Sequence, residues 1–170
     1  LVSLQDSSGG FWDVSVEFEG TTSVPATPTL DEEDGTYWFC EGVHSINANV
    51  EASVTLSSMN GDPTSTLLYG AETASIVTID QDGVDIRIED LAMMSGQGSG
   101  ALDLDSSEFT GAGGAIFCRG QSDIELDGVI LSNNSGMVGG AIASQGCDLD
   151  LVSSVIKEND AAIGGGLMLI

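Results

Sequence analysis

"GGAIFCRGQSDIELDGVILSNNSGMVGGAIASQGCDLDLVSSVIKENDAAIGGGLMLI", residues 113–170, decides the fold, because the chain says the same thing more than once within it. Asp123-Ile124-Glu125-Leu126 returns 25 residues later as Asp148-Leu149-Asp150-Leu151. Leu131 returns as Ile156, Asn134 as Asn159, and Gly139-Gly140-Ala141-Ile142 as Gly164-Gly165-Gly166-Leu167, all at that spacing. An earlier Gly-Gly-Ala-Ile, opening on Gly113 and Gly114, precedes the second by 26 residues, which puts one extra residue in the segment 118–122. Self-similarity at a fixed short period is the mark of units that stack because none can bury its own apolar face.

The period inside the unit says what the unit is. Asp-Ile-Glu-Leu-Asp and Asp-Leu-Asp-Leu alternate apolar and polar residues with period two, the pattern of strands. Each repeat holds three strand candidates, after the glycines, in the acidic middle and before the Asn, separated by Gly, Ser and Asn turns. The expected fold is all-β, a solenoid of stacked coils of about 22–26 residues each. Upstream, 54–56, 76–79, 86–88 and 102–104 alternate in the same way, but Leu102 follows Ile86 by only 16 residues. Either that coil is trimmed at its turns, or 76–79 and 86–88 are two sides of one coil. Residues 1–36 lie outside the repeat and read as an N-terminal strand followed by a cap or linker, and 37–170 as the solenoid. The chain opens without Met or a leader pattern and closes on the strand-like Gly-Gly-Gly-Leu-Met-Leu-Ile. The expectation is an excised or mature piece whose last coil is continued or covered beyond residue 170.

Composition limits the partners. In 170 residues, 27 Asp and Glu face three cations, Arg87, Arg119 and Lys157, for a net charge of −24, which argues against nucleic acid and anionic lipid as partners. With 41% hydrophobic residues at regular spacing the chain is a folded object, not an acidic tail, and it contains no apolar run long enough for a membrane-spanning helix. Cys40, Cys118 and Cys147 have no zinc spacing; two of them can pair if the chain is secreted, or all three can serve as small buried hydrophobes.

The acids carry the chemistry. Stacking Ile86, Leu102, Ile124 and Leu149 puts Arg87, Asp103, Glu125 and Asp150 in one outward column, and Asp85, Ala101, Asp123 and Asp148 in another. Glu89, Asp105 and Asp127 make a third. Adjacent strands lie about 4.8 Å apart, so stacked carboxylates repel by roughly 1 kcal/mol even in water. Three things can offset this: Arg87 bridging to Asp103, screening by salt, or Ca²⁺ held among Asp103, Glu125, Asp150, Asp123 and Asp148. The plain alternative is a solvated acidic face. Asp-Gln-Asp-Gly-Val-Asp at 80–85 has the look of a calcium loop but lacks the spacing and closing Glu of an EF-hand. His44 is the sole histidine, so a metal or triad role has no second member. Asn134 and Asn159 read as structural turn residues forming a ladder, and the pairs Gly113-Gly114, Gly139-Gly140 and Gly164-Gly165 as structural turn glycines. Trp12, Tyr37, Trp38 and Phe39 gather near the N-terminus, where they plug the end of the solenoid.

Gly-Gly-Ala-Ile followed by apolar-x-x-Asn, here Leu131-Ser-Asn-Asn134 and Ile156-Lys-Glu-Asn159, resembles the GGAI and FxxN repeats of the chlamydial polymorphic outer membrane protein family, with the Phe replaced. Residues 34–96 also resemble the opening coils of large secreted bacterial β-helix proteins. The resemblance implies a right-handed parallel β-helix on a bacterial outer surface or in the extracellular space, within reach of glycans or extracellular matrix. It implies no reaction, since the fold hosts adhesins, passenger domains and polysaccharide-cleaving enzymes alike. A pectate lyase-like or glycoside hydrolase-like reading would fall on Arg87 with Asp85, Asp103 and Asp105, but the groove of such enzymes carries several basic and aromatic residues. The expected function is therefore non-enzymatic: a surface structural or adhesin-like element without a required cofactor, calcium apart, with head-to-tail stacking into a filament as its mode of self-association.

Overall fold

The computed structural model describes residues 2–5, 11–14, 27–99, 102–103, 108–109 and 113–170. It is all-β, without helices among the described residues, and most of its strands lie parallel and in register with a counterpart one circuit away. The first sheet runs β2 (Phe11–Val14), β1 (Val2–Gln5), β4 (Gly35–Phe39), β7 (Val54–Ser58), β10 (Ile86–Glu89), β16 (Asp123–Asp127) and β20 (Asp148–Val152). A second runs β5 (Gly42–Ser45), β8 (Thr66–Tyr69), β11 (Ala92–Met94), β17 (Ile130–Ser132) and β21 (Val155–Lys157). A third runs β3 (Thr29–Leu30), β6 (Ala48–Val50), β9 (Val77–Ile79), β15 (Ile116–Arg119), β19 (Ile142–Gln145) and β23 (Leu167–Leu169). A fourth, short ladder joins β12 (Gln97–Gly98), β18 (Ser135–Val138) and β22 (Asp160–Ile163). The chain visits the sheets in a fixed cycle, so β16, β17, β18 and β19 make one circuit and β20 to β23 the next.

Alternation along each strand becomes columns of side chains across the sheets. Tyr37, Leu56, Ile88, Leu126 and Leu151 form one inward column, and His44, Leu68, Met93, Leu131 and Ile156 another. Ala48, Val77, Ile116, Ile142 and Leu167 line the third wall. These columns meet in a single apolar core, and burying each large side chain contributes about 1.5–3 kcal/mol. A smaller cluster of Phe117, Val138 and Ala143, with Met168 against it, lies apart from that core.

The repeat glycines are fixed by distance. A Cβ on Gly114 would fall on the carbonyl oxygen of Gly140, and one on Gly140 would fall on that of Gly165, so successive circuits touch backbone to backbone there. At the neighbouring turn the asparagines bind each circuit to the one before. Asn134 accepts from the Gly96 amide at 2.9 Å and donates to the Met93 carbonyl at 3.0 Å. Asn159 repeats both bonds one circuit on, accepting from the Asn134 amide at 3.0 Å and donating to the Leu131 carbonyl at 3.0 Å. Asn134 also donates to the Asn159 side chain at 3.1 Å.

Register corrects the expected stacking. Ile86 pairs directly with Ile124 and Arg87 with Glu125, so Leu102 and Asp103 do not stand between them. Leu102–Asp103 forms β13, which pairs antiparallel with β14 (Glu108–Phe109) in a two-stranded sheet of its own. The extra residues enter between Gly98, which pairs with Gly136, and Ile116, which pairs with Ile142. Successive circuits are unequal: partner residues in the first sheet are 19 apart from β4 to β7, 32 from β7 to β10, 38 from β10 to β16 and 25 from β16 to β20, and only the last value lies within the expected 22–26. Strands 77–79 and 86–89 belong to different sheets, so they are two sides of one circuit. The single extra residue lies where the spacing places it, between Arg119, which pairs with Gln145, and Asp123, which pairs with Asp148.

At the N-terminal edge β1 runs antiparallel to β4, and β2 antiparallel to β1, so the first sheet ends in a hairpin. Tyr37 and Phe39 point into the core beneath it, while Trp38 stands half-buried on the other face of β4. His44 heads its inward column close by, 5% exposed, with Nε2 2.8 Å from the Cys40 carbonyl and its ring edge-on to Phe39. Burial pushes its pKa below the ordinary 6.5, partly opposed by the bond to the Cys40 carbonyl. The unfolded chain therefore takes up this proton at a higher pH than the folded one. The neutral ring's contribution is fully present above about pH 6.5 and is lost as pH falls toward the depressed folded value. Unfolding free energy of the wild type is expected to fall more steeply from pH 7 to 5 than that of His44→Gln, measured by urea titration; parallel curves would contradict this assignment.

Candidate functional site: the outward face of the first sheet

On β16 and β20 the inward positions are apolar and every second residue faces out. Asp123 stands beside Asp148 and Glu125 beside Asp150 in adjacent strands. Arg87 on β10 enters the Glu125 row from the other side. Its guanidinium meets three carboxylates: Glu89 on its own strand through Nε, Glu125 through Nη1 at 2.5 Å, and Asp127 through Nη2 at 3.5 Å. The Glu89 hydrogen bond leads the interactions that raise the Arg87 pKa, so the cation is permanent. All four side chains are about a third exposed or more, so this is a solvated network worth little per pair.

Of the expected carboxylate column, Glu125, Asp150, Asp123 and Asp148 lie together on this face. Asp103 does not belong to it: it pairs with Glu108 in the separate hairpin, and the bridge from Arg87 runs to Glu125 instead. Ala101 and Asp105 lie outside the described residues. The face opens into a groove of about 490 Å³ bordered by Glu33, Asp34, Thr55, Asp85, Arg87 and Glu125. A second groove, of about 480 Å³, runs between Asp123, Glu125, Asp148 and Asp150. Among the described residues no three His, Cys, Asp or Glu side chains converge as a metal-binding group.

Asp80 and Asp82 have other employment. Asp80 accepts from Nε and Nη2 of Arg119, both at 2.7 Å, and Asp82 accepts from the Gln121 amide at 2.9 Å. The Ser122 hydroxyl donates to the Gln81 carbonyl at 2.9 Å and accepts from the Val84 amide at 3.1 Å. This turn is thus sewn to the next circuit. At the same corner Cys118 and Cys147 form a disulfide across 29 residues, leaving Cys40 as the cysteine outside it. Three cysteines permit three pairings, and only the fold brings this pair together, Cys118 from within β15 and Cys147 from just past β19, the strand that pairs with it.

Asn134, Asn159 and the glycine pairs lie at turns away from the carboxylate face; the asparagines, Gly114 and Gly140 hold one circuit on the next, while Gly164 and Gly165 are exposed. His44 is buried in the core near the N-terminal edge. No helix among the described residues is long and apolar enough to cross a membrane. No protein-family model matches the chain, and comparison with curated proteins and with solved structures returns no match.

Proposed function

We propose that the chain is a right-handed parallel β-helix acting outside the cell, on a bacterial surface or as a secreted piece, as a non-enzymatic structural or adhesin-like element that presents an acidic face. The observation that carries this reading is the register of the first sheet, which lines up Asp123 with Asp148 and Glu125 with Asp150 on one outward surface above a continuous apolar core. The repeat supplies length and stiffness by stacking, and the outward positions are left for contact. A disulfide within the stack fits an oxidising compartment. Against a polysaccharide-cleaving role stands the state of Arg87: a lyase needs a cationic group at liberty to work on substrate, and this guanidinium is engaged by Glu89, Glu125 and Asp127.

An adhesion assay tests the reading. Beads coated with the chain are expected to be retained on immobilised glycan or extracellular-matrix surfaces. Retention should be lost when Asp123, Glu125, Asp148 and Asp150 are replaced together by their amides, since exposed carboxylates can change without harm to the core. Equal retention by the neutralised variant, or none by the wild type, would overturn it. Formation of unsaturated product from polygalacturonate, abolished by Arg87→Ala, would establish the enzymatic alternative.

A further inference from the structure

Six asparagines occur in the chain, and one of them opens an Asn-x-Ser triplet: Asn133-Asn134-Ser135, at the turn from β17 to β18. The two asparagines have opposite fates. Asn134 is 1% exposed, with its amide tied to Gly96, Met93 and Asn159, whereas Asn133 is exposed. The Asn133 carbonyl accepts from the Ser95 amide of the preceding circuit, and its own amide donates to the Glu158 carbonyl of the next, both at 3.1 Å. A circuit thus flanks the residue on either side, and it is exposed nonetheless. Ser95, Asn133 and Glu158 share a left-handed backbone, with φ of 55, 52 and 55°. Asn tolerates that conformation well, yet Ser and Glu hold the same place, so the turn itself does not demand Asn. Two residues on, Gln97, Ser135 and Asp160 stand side by side. The three equivalent turns therefore read Ser-Gly-Gln, Asn-Asn-Ser and Glu-Asn-Asp, and only the middle one sets a carboxamide two residues before a hydroxyl.

We propose that Asn133 is the acceptor of an N-linked oligosaccharide, added as the chain passes through an oxidising secretory compartment. Asn-x-Ser is the acceptor signal of that reaction, and the Cys118–Cys147 disulfide, whose span encloses the turn, belongs to the same kind of compartment. The donor is an oligosaccharide carried on a lipid diphosphate. The Asn133 carboxamide nitrogen attacks its anomeric carbon and loses one proton to a base. A C–N bond forms, the C–O bond to the diphosphate breaks, and the lipid diphosphate leaves with the electron pair. The fold accommodates the product, because Asn133 stands at the outer surface, while a sugar on Asn134 would displace the bonds that join two circuits. The turn joins the second sheet to the fourth ladder, so the glycan leaves the carboxylates of the first sheet uncovered. The inference rests on the reading of the chain as exported, and on nothing that the acidic face binds.

Expression of the full 170-residue chain behind a cleavable leader in a eukaryotic secretory host tests the site separately from any adhesion assay. Secreted and cell-retained chains are both expected to carry a single discrete gain in mass, removed by the amidase that releases asparagine-linked glycans. Release in heavy-oxygen water should leave the isotope at residue 133 in the peptide map. Asn133→Gln and Ser135→Ala should each lose the shift, while Ser135→Thr, which keeps the hydroxyl, should retain it. An unshifted wild type, a shift that resists the amidase, or the isotope at another asparagine would overturn the proposal. The peptide map of the wild type decides it even if a variant does not fold.

Discussion

Ile124→Asp is expected to abolish cooperative folding. Ile124 is 1% exposed, flanked in its column by Ile86 on one circuit and Leu149 on the next, so a carboxylate there has neither water nor a partner. Removing the isoleucine costs about 2–5 kcal/mol, and an unpaired buried charge adds several more, against a total stability of about 5–15 kcal/mol for an ordinary domain. Leu149→Asp at the same inward position is expected to be far milder, because Leu149 is only partly buried and its carboxylate would have a route to water. Circular dichroism melts of the two variants give the comparison. Similar melting temperatures would mean that the inward column does not run as described.

Gly114→Ala is the second large effect, and its mechanism is steric. The new methyl group would coincide with the Gly140 carbonyl oxygen, and the atoms in the way are backbone, which cannot rotate aside. The circuits must separate locally, at an expected cost of about 2–4 kcal/mol. Gly165→Ala serves as the control within the same column. Nothing approaches its Cβ position closer than the Asn159 carbonyl at 3.6 Å, so the substitution is expected to be neutral within about 0.5 kcal/mol. Denaturation midpoints that fall equally in both variants would show that the glycines act through chain entropy and not through close approach.

What could be read in the sequence was set by how strongly each segment repeats. Asp123–Asp127 and Asp148–Val152 carry the same alternation at one spacing, and the structure pairs them residue for residue. Leu102-Asp103-Leu104 carries that alternation too, yet Leu102–Asp103 pairs antiparallel with Glu108–Phe109, because alternation marks a strand but names no partner. That segment lies within an insertion, and the error displaced Asp103 into the acidic column. The fourth ladder escaped notice for the opposite reason. Gln97–Gly98, Ser135–Val138 and Asp160–Ile163 are rich in Gly, Ser and Ala and show no clean alternation; they are strands because a repeating circuit brings them side by side. Val2–Gln5 is similarly too short to declare itself, and its antiparallel place on β4 is a tertiary outcome. On the acidic face, Asp123, Glu125, Asp148 and Asp150 followed from register alone. The partners of Arg87 depended on knowing that β16, and not 102–104, is its neighbour.

Disulfide trapping across the first sheet tests that neighbour relation most directly. In a Cys40→Ser background, Arg87→Cys/Glu125→Cys places two thiols on adjacent parallel strands about 4.8 Å apart, within the span that a disulfide bridges. This pair is expected to close under mild oxidation while Arg87→Cys/Asp103→Cys stays open. Closure of the second pair with the first remaining reduced would put 102–104 back into the stack and contradict the continuous acidic face on which the functional reading rests.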